Sequence, residues 1–327
     1  PVAQIFHCNF LEIALVYSAT GETMDSFVQL IVSTVVLRPY VVAFLLLYLF
    51  ATVADMGWRR TLLFTVVAWS VAFTAESLSI RFGVPFGLYH YLPTTAGREL
   101  WIAGVPFIDS LSFVFLAYAS WTMASLALLP APRDGERRWA LLPHRDRFSV
   151  PVLLLTVVFF VLIDVVVDPI AVRGDRWFLG QIFTYPDGGV YFGVPVSNFV
   201  GWGVVGSLIM ILFALLERPI RVGAPAWAAR LPLRPLYGPG LYYIVLGFAL
   251  TVTWFIGEQT LFLVGLFIYS PLTTLLAVTI TARWRQRQRS SRGHLERVSV
   301  VLSGRDAPAN GRGSLPVEPV WRDPHLE

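Results

Sequence analysis

The sequence predicts an all-α fold: a polytopic transmembrane helical bundle of about seven spans, N-terminus outside and C-terminal tail cytoplasmic. Three observations carry that expectation. The 327 residues are 56% hydrophobic and only 14% charged, against about 25% charged in soluble domains. Apolar blocks recur at roughly 28–54, 61–80, 103–129, 149–170, 196–216, 240–257 and 260–283, each long enough to cross about 30 Å of hydrocarbon at 1.5 Å per residue. Arginine alternates between their connections. Counting the tail, twenty arginines fall on one side of the blocks and four on the other. The positive-inside rule then orients the chain.

Taken in order, residues 1–26 form an N-terminal segment of unclear structure, without the basic start of a cleavable signal peptide. The first apolar block is longer than a span needs and contains Arg38-Pro39. A helix starting near Pro39, with 28–37 at the interface, and an eighth span upstream are both open. Residues 27–283 are read as the transmembrane catalytic domain and 284–327 as a disordered, Arg-rich cytoplasmic tail lying on anionic lipid. All 25 basic residues are Arg, and the single cysteine, Cys8, excludes an internal disulfide or a Cys-based metal site. A membrane protein of this kind is expected in the cell membrane, with lipid as its surroundings and no nucleic-acid partner.

The stretch VLIDVVVDPIAV (161–172) places Asp164 and Asp168 four residues apart in an otherwise apolar span, so both carboxyls lie on one helical face. A charged Asp at mid-bilayer costs about 2.5–3.5 kcal/mol on insertion scales, and the face must meet protein, water or a partner. With the expected topology, Glu76, Asp109, Asp164, Asp168 and Asn198 fall in one leaflet and predict a polar catalytic pocket there. The opposite halves carry almost nothing comparable. Glu258, between the last two blocks, reads as a solvated helix end.

Two outer connections, 81–101 and 173–195, are rich in Phe, Tyr, Trp, Gly and Pro. They fit either an aromatic belt at the headgroups or a lid over a long apolar ligand. The lid reading makes Phe86, Tyr89, His90, Trp177, Tyr185, Tyr191 and Phe192 substrate-contacting residues. In the second connection, QIFTY and VYFGV flank Pro186-Asp187-Gly188-Gly189, a turn signal that predicts a small hairpin. GVPFID (104–109) and GVPVSN (193–198) form an internal echo that would make Asp109 equivalent to Asn198 and Glu76 to Asp164, while FGVP at 82–85 and 192–195 offers a competing alignment.

GWGVVG (201–206) matches a dinucleotide-binding pattern but lies inside a span, where helix packing through small residues explains it better. The five histidines are too scattered for a metal centre. DVVVDP lacks the second acidic motif and basic helpers that a magnesium-diphosphate site needs.

Together, LRPYVVAFLLLYLFA, GWRRTLLFTVVAW, ESLSIRFGVPFGLYHY, RELWIAGVPFIDSLSFVFLAYAS, DPIAVRGDRWFLG and YFGVPVSNFVGW resemble the CruF-type carotenoid hydratases, integral-membrane proteins of carotenoid biosynthesis related to the bisanhydrobacterioruberin hydratase. The likeness runs from about 37 to 283. It implies addition of water across the terminal C1=C2 bond of an acyclic (psi) carotenoid end, with the carotenoid as hydrophobic substrate and other carotenoid-biosynthesis enzymes as candidate partners. No cofactor and no metal are expected. The residues fit that chemistry: a carboxylic acid protonates the less substituted carbon, aromatic faces stabilise the tertiary cation, and a second carboxylate or amide orients the water. The competing readings are a transporter or proton-coupled channel using the buried acids as a relay, and a cofactor-free carotenoid cyclase or isomerase.

Overall fold

The structure, a computed structural model, describes residues 26–129, 142, 146–178, 180–220, 223–231 and 233–305. Among them are eight α-helices: α1 (Ser26–Leu37), α2 (Pro39–Met56), α3 (Trp58–Phe82), α4 (Phe107–Ala127), α5 (Val150–Ala171), α6 (Val196–Leu216), α7 (Tyr237–Phe255) and α8 (Gln259–Arg305). The helices α2 to α7, and α8 over Gln259–Ala282, make seven elements long and apolar enough to cross a membrane. The protein is therefore a multi-pass membrane protein. Pro39 opens α2 at a first-turn position, where its missing N–H costs nothing. The 12 residues of α1 would extend only about 18 Å, too short to cross; residues 1–25, where an eighth span was considered, lie outside the described residues.

Among the described residues, those from 26 to 280 form one compact unit and those from 281 to 305 belong to a second. In the second unit the backbone is helical as far as Arg305, where the sequence reading expects an irregular tail from 284. The segment is rich in Arg, a good helix former, and has no Pro before Pro308, so local propensity permits the observed state. Residues 306–327 are outside the described set.

In the first unit, α4 is the central element: 83% of its span is buried, against neighbours α2, α3, α5 and α7. Helix α8 is peripheral, with 17% of its span buried, and meets α7 through the Tyr242–Tyr269 hydroxyl pair at 2.8 Å. The GWGVVG stretch is a packing device. A Cβ on Gly201 would come within 2.5 Å of the Phe86 ring, and one on Gly206 within 2.7 Å of Phe160.

The two connections that carry the aromatic residues, 83–106 and 172–195, lie at one end of the bundle, called here the lid end. Their pairing differs from the expected hairpin. Pro186-Asp187 does turn, with Gly188 N–H donating to Tyr185 O at 3.0 Å. The strand before it, β4 (Phe183–Thr184), nevertheless pairs antiparallel with β1 (His90–Tyr91) of the other connection. Cross-connection pairing stacks Tyr91 near Phe183 and Tyr89 near Tyr185, burying rings that a local hairpin would leave apart.

The internal echo is visible in the backbone. Strands β2 (Trp101–Ile102) and β3 (Val105–Pro106) close on a turn with Ala103 at φ 49° and Gly104 at φ 86°. Tyr191 and Val194 bridge across the same turn, with Phe192 at φ 50° and Gly193 at φ 89°. Each turn delivers a proline N-cap, Pro106 or Pro195, into a span. Asp109 and Asn198 consequently occupy the same position, the third residue of α4 and of α6.

The other end, rich in arginine, is not empty of buried charge as the sequence reading expects. Arg147, preceding α5, donates from Nη1 and Nη2 to Asp55 at the end of α2 (3.0 and 2.7 Å), and lies 4.1 Å from the Trp121 ring centre. Arg60 pairs with Glu217 at 2.9 Å. Between this layer and the lid end, Phe64, Tyr118, Trp121 and Phe213 pack ring against ring.

The orientation remains testable by labelling. With the lid end outside, Asp187→Cys in a Cys8→Ser background reacts with a membrane-impermeant maleimide on intact cells, and Arg230→Cys reacts only after lysis. The reverse pattern would invert the topology.

Candidate active site

A cavity opens beneath the lid end. Most of its wall is aromatic or aliphatic. Phe86, Phe113 and Trp202 line one part, with Phe113 and Trp202 stacked at 4.4 Å. Tyr40, Phe44 and Phe248 line another, where α2 meets α7. Tyr89, Tyr91 and Tyr185 close it from the lid.

Three carboxyls and an amide, from Glu76, Asp109, Asp168 and Asn198, interrupt this wall, with Ser112 beside them. Glu76, 4% exposed near the end of α3, accepts a hydrogen bond at each oxygen, from the Tyr91 hydroxyl at 2.9 Å and from Ser110. Burial pushes the Tyr91 phenol well above its ordinary range, so it stays a donor. Asn198 donates from one amide nitrogen to both aspartates of α5, 2.8 Å to Asp164 Oδ2 and 2.7 Å to Asp168 Oδ2. Asp168 lines the cavity, whereas Asp164 sits behind it, fully buried, its Oδ1 without a donor. Asp109 has no hydrogen bond to its carboxyl among the described residues and faces the cavity from the first turn of α4.

Local sequence explains these placements. The i, i+4 spacing stacks Asp164 under Asp168, and Pro169 does not end α5, which runs on to Ala171. Arg173 closes that helix by donating from Nη1 to Pro169 O at 2.8 Å and Phe192 O at 2.6 Å, with a cation matching the helix C-terminus. Along β1 the strand alternates: Tyr89 and Tyr91 point to the cavity while His90, between them, is exposed.

Of the lid residues predicted to touch substrate, Phe86, Tyr89, Trp177 and Tyr185 line the cavity. His90, Tyr191 and Phe192 do not: His90 falls on the outward face of its strand, and the other two build the second turn, where Tyr191 packs on Phe199 at 5.5 Å. Tyr91 and Ser110 are site residues that the sequence reading misses. Strand alternation carries the signal for Tyr91; Ser110 becomes visible only through its bond to Glu76. Glu258 is not a simple solvated end. It receives Arg173 Nε at 3.0 Å and Arg176 Nη1, tying the second connection to the α7–α8 turn.

The sequence pattern of the family described as carotenoid biosynthesis protein matches residues 28–271. The chain belongs to that family. A relative in it, the bisanhydrobacterioruberin hydratase of Haloarcula japonica (strain TR-1), is 28% identical over 211 residues, which cover 63% of this chain and 64% of the relative. The chain thus spans just under two thirds of that curated relative. No solved structure matches. The cavity of this family member joins aromatic walls to one acidic face.

Proposed function

We propose that this family member is a hydro-lyase of the carotenoid 1,2-hydratase type in the cell membrane. It adds water across the C1=C2 bond of an acyclic (psi) carotenoid end to give a tertiary alcohol. The observation that supports this reading most is the gathering of Glu76, Asp109, Asp168 and Asn198 on one wall of an otherwise apolar cavity.

Asp168 is assigned as the acid. Two carboxyls around one amide, with Asp164 Oδ1 lacking a donor, are satisfied when the pair carries a proton, and only Asp168 can present it to the cavity. That proton goes to C2, the π electrons become the new C–H bond, and C1 is left a tertiary cation. The ring faces of Tyr89, Tyr185 and Trp202 stabilise the cation by about 0.5–2 kcal/mol each. Water oxygen bonds to C1, and a carboxylate takes the water's proton. The net change is the addition of H and OH, without oxidation or reduction; the proton lost by the acid returns from the base through solvent. Glu76 completes the wall, its two oxygens engaged by the Tyr91 and Ser110 hydroxyls.

A channel would need a path to the other face. The packed rings of Phe64, Tyr118, Trp121 and Phe213 and the Asp55–Arg147 pair weigh against it. Expression in a lycopene-producing bacterium tests hydration against cyclisation: pigments heavier by one or two waters are expected, their oxygen derived from heavy-oxygen water. Unchanged pigment mass, or label drawn from molecular oxygen, would overturn the proposal.

A further inference from the structure

The acidic groups stand on one side of the cavity, carried by α3, α4, α5 and α6. The opposite side is a corner of aromatic rings where α2, α7 and the second connection meet. Tyr40 lies flat on Phe248, centroids 5.1 Å apart and planes 13° from parallel. Trp177 closes on both, at 5.9 and 6.2 Å. All three line the cavity. Phe178 does not, yet its ring meets Tyr40 at 5.5 Å and Phe248 at 6.5 Å, and it is 50% exposed. At this corner the wall is one ring thick. Elsewhere the cavity is closed more deeply. Behind the acidic side, Ser110 and Asp164 are fully buried, and the lid is laced by the β1–β4 pairing and by Leu92 N–H donating to Ile182 O at 2.7 Å.

Ion pairs frame the corner without bridging it. Arg38, two residues before Tyr40, donates from Nε and Nη2 to Glu99 of the first connection at 3.2 and 3.0 Å. Arg173 and Arg176, just before Trp177, hold Glu258 beyond the end of α7. Trp177 itself is fixed, its indole N–H donating to Ile170 O at 3.1 Å. Phe248 is a hydrocarbon ring with no polar anchor, so side-chain rotation parts it from Tyr40 without breaking a hydrogen bond. It lies two turns inside the terminus of α7 at Phe255, a depth that faces hydrocarbon in a bilayer.

We propose that this corner is a lateral passage to the bilayer, through which the polyene chain of a carotenoid extends while its end lies against the acidic wall, and that Phe248 gates it. The inference rests on reading the cavity as a carotenoid site. An acyclic carotenoid is a stiff apolar rod comparable in length to the hydrocarbon core, about 30 Å, and the cavity is only a few side chains across. Most of the rod therefore lies outside it. An opening within the span lets the chain stay in hydrocarbon throughout, and the flat Tyr40 and Phe248 faces offer a conjugated chain stacking contact.

The test uses the full chain in proteoliposomes, and its first readout does not depend on turnover. Phe178→Cys in a Cys8→Ser background places a thiol at the outer mouth of the passage. An acyclic carotenoid should slow its reaction with N-ethylmaleimide at least about tenfold. A short acyclic terpene hydrocarbon with the same end, reaching only the cavity, should leave that rate within about twofold. Val190→Cys, 87% exposed elsewhere on the lid, should react at one rate throughout. The second readout is kinetic. Phe248→Trp thickens the wall and should raise KM for the carotenoid at least about tenfold with kcat within about twofold of wild type, because chain binding suffers and the reacting end does not. Labelling of Phe178→Cys that the carotenoid leaves unslowed, or that the short hydrocarbon slows equally, would overturn the passage. So would a loss confined to kcat in Phe248→Trp. Slowed labelling in a protein that yields no hydrated pigment would uphold the passage and refute the hydratase reading.

Discussion

Asp168→Asn and Asp109→Asn each lower the hydration rate by at least about 10²-fold, the usual contribution of a positioned acid or base. Asn preserves size and hydrogen bonding but carries no transferable proton. At Asp168 it also breaks the arrangement in which Asn198 Nδ2 bridges the two aspartates at 2.8 and 2.7 Å, because an amide can place its N–H₂ against another donor. Asp164→Asn, one turn deeper and outside the cavity wall, should act through Asp168 and combine with Asp168→Asn without further loss. Asp187→Asn is the appropriate control, since Asp187 is exposed on the lid turn. Glu258 is unsuitable, as two arginines hold it. Initial rates measured on carotenoid in proteoliposomes decide the matter. Normal turnover in both Asp168→Asn and Asp109→Asn would remove the chemistry from this wall.

The second large effect is on stability. Asp55→Asn leaves the Arg147 guanidinium, 5% exposed in its side chain, without its counter-charge. Removing one partner of a buried pair costs about 3–5 kcal/mol. The variant should unfold at lower temperature in detergent, while its hydration rate per folded molecule stays unchanged because the pair lies far from the acidic wall in the packing order. Replacing both partners together, Asp55→Leu with Arg147→Met, should recover much of the loss, since no buried charge then remains. A single Asp55→Asn variant as stable as wild type would mean that water reaches the pair.

Much of this was legible in the sequence because the bilayer imposes lengths. Apolar blocks of about 20 residues give seven spans directly, and Asp164 and Asp168 announce themselves by their cost in lipid. The repeated Gly-Val-Pro points to Asp109 and Asn198 as equivalent positions. What stayed hidden depends on pairing across long separations. The ties between Arg38 and Glu99, and between Asp55 and Arg147, join residues 61 and 92 positions apart, and an arginine counted toward topology looks the same whether solvated or buried. The β1–β4 pairing was invisible for a related reason. Turn residues favour a local hairpin, but burial of tyrosine rings decided the register. His90 sits among the aromatic residues of the lid sequence, yet the alternation of β1 turns it outward.

The twin turns before α4 and α6 have a consequence for stereochemistry. They repeat the frame but not the chemistry, because one presents a carboxylate and the other an amide at the same helical position. On the proposed mechanism, an alkene lying between them would meet the proton from α5 and the attacking water on fixed faces. The alcohol carbon bears two methyl groups and conceals that choice in the ordinary product. In heavy water the protonated carbon becomes a deuterium-bearing stereocentre, and a single handedness there would be the imprint of a duplicated scaffold whose two halves have diverged.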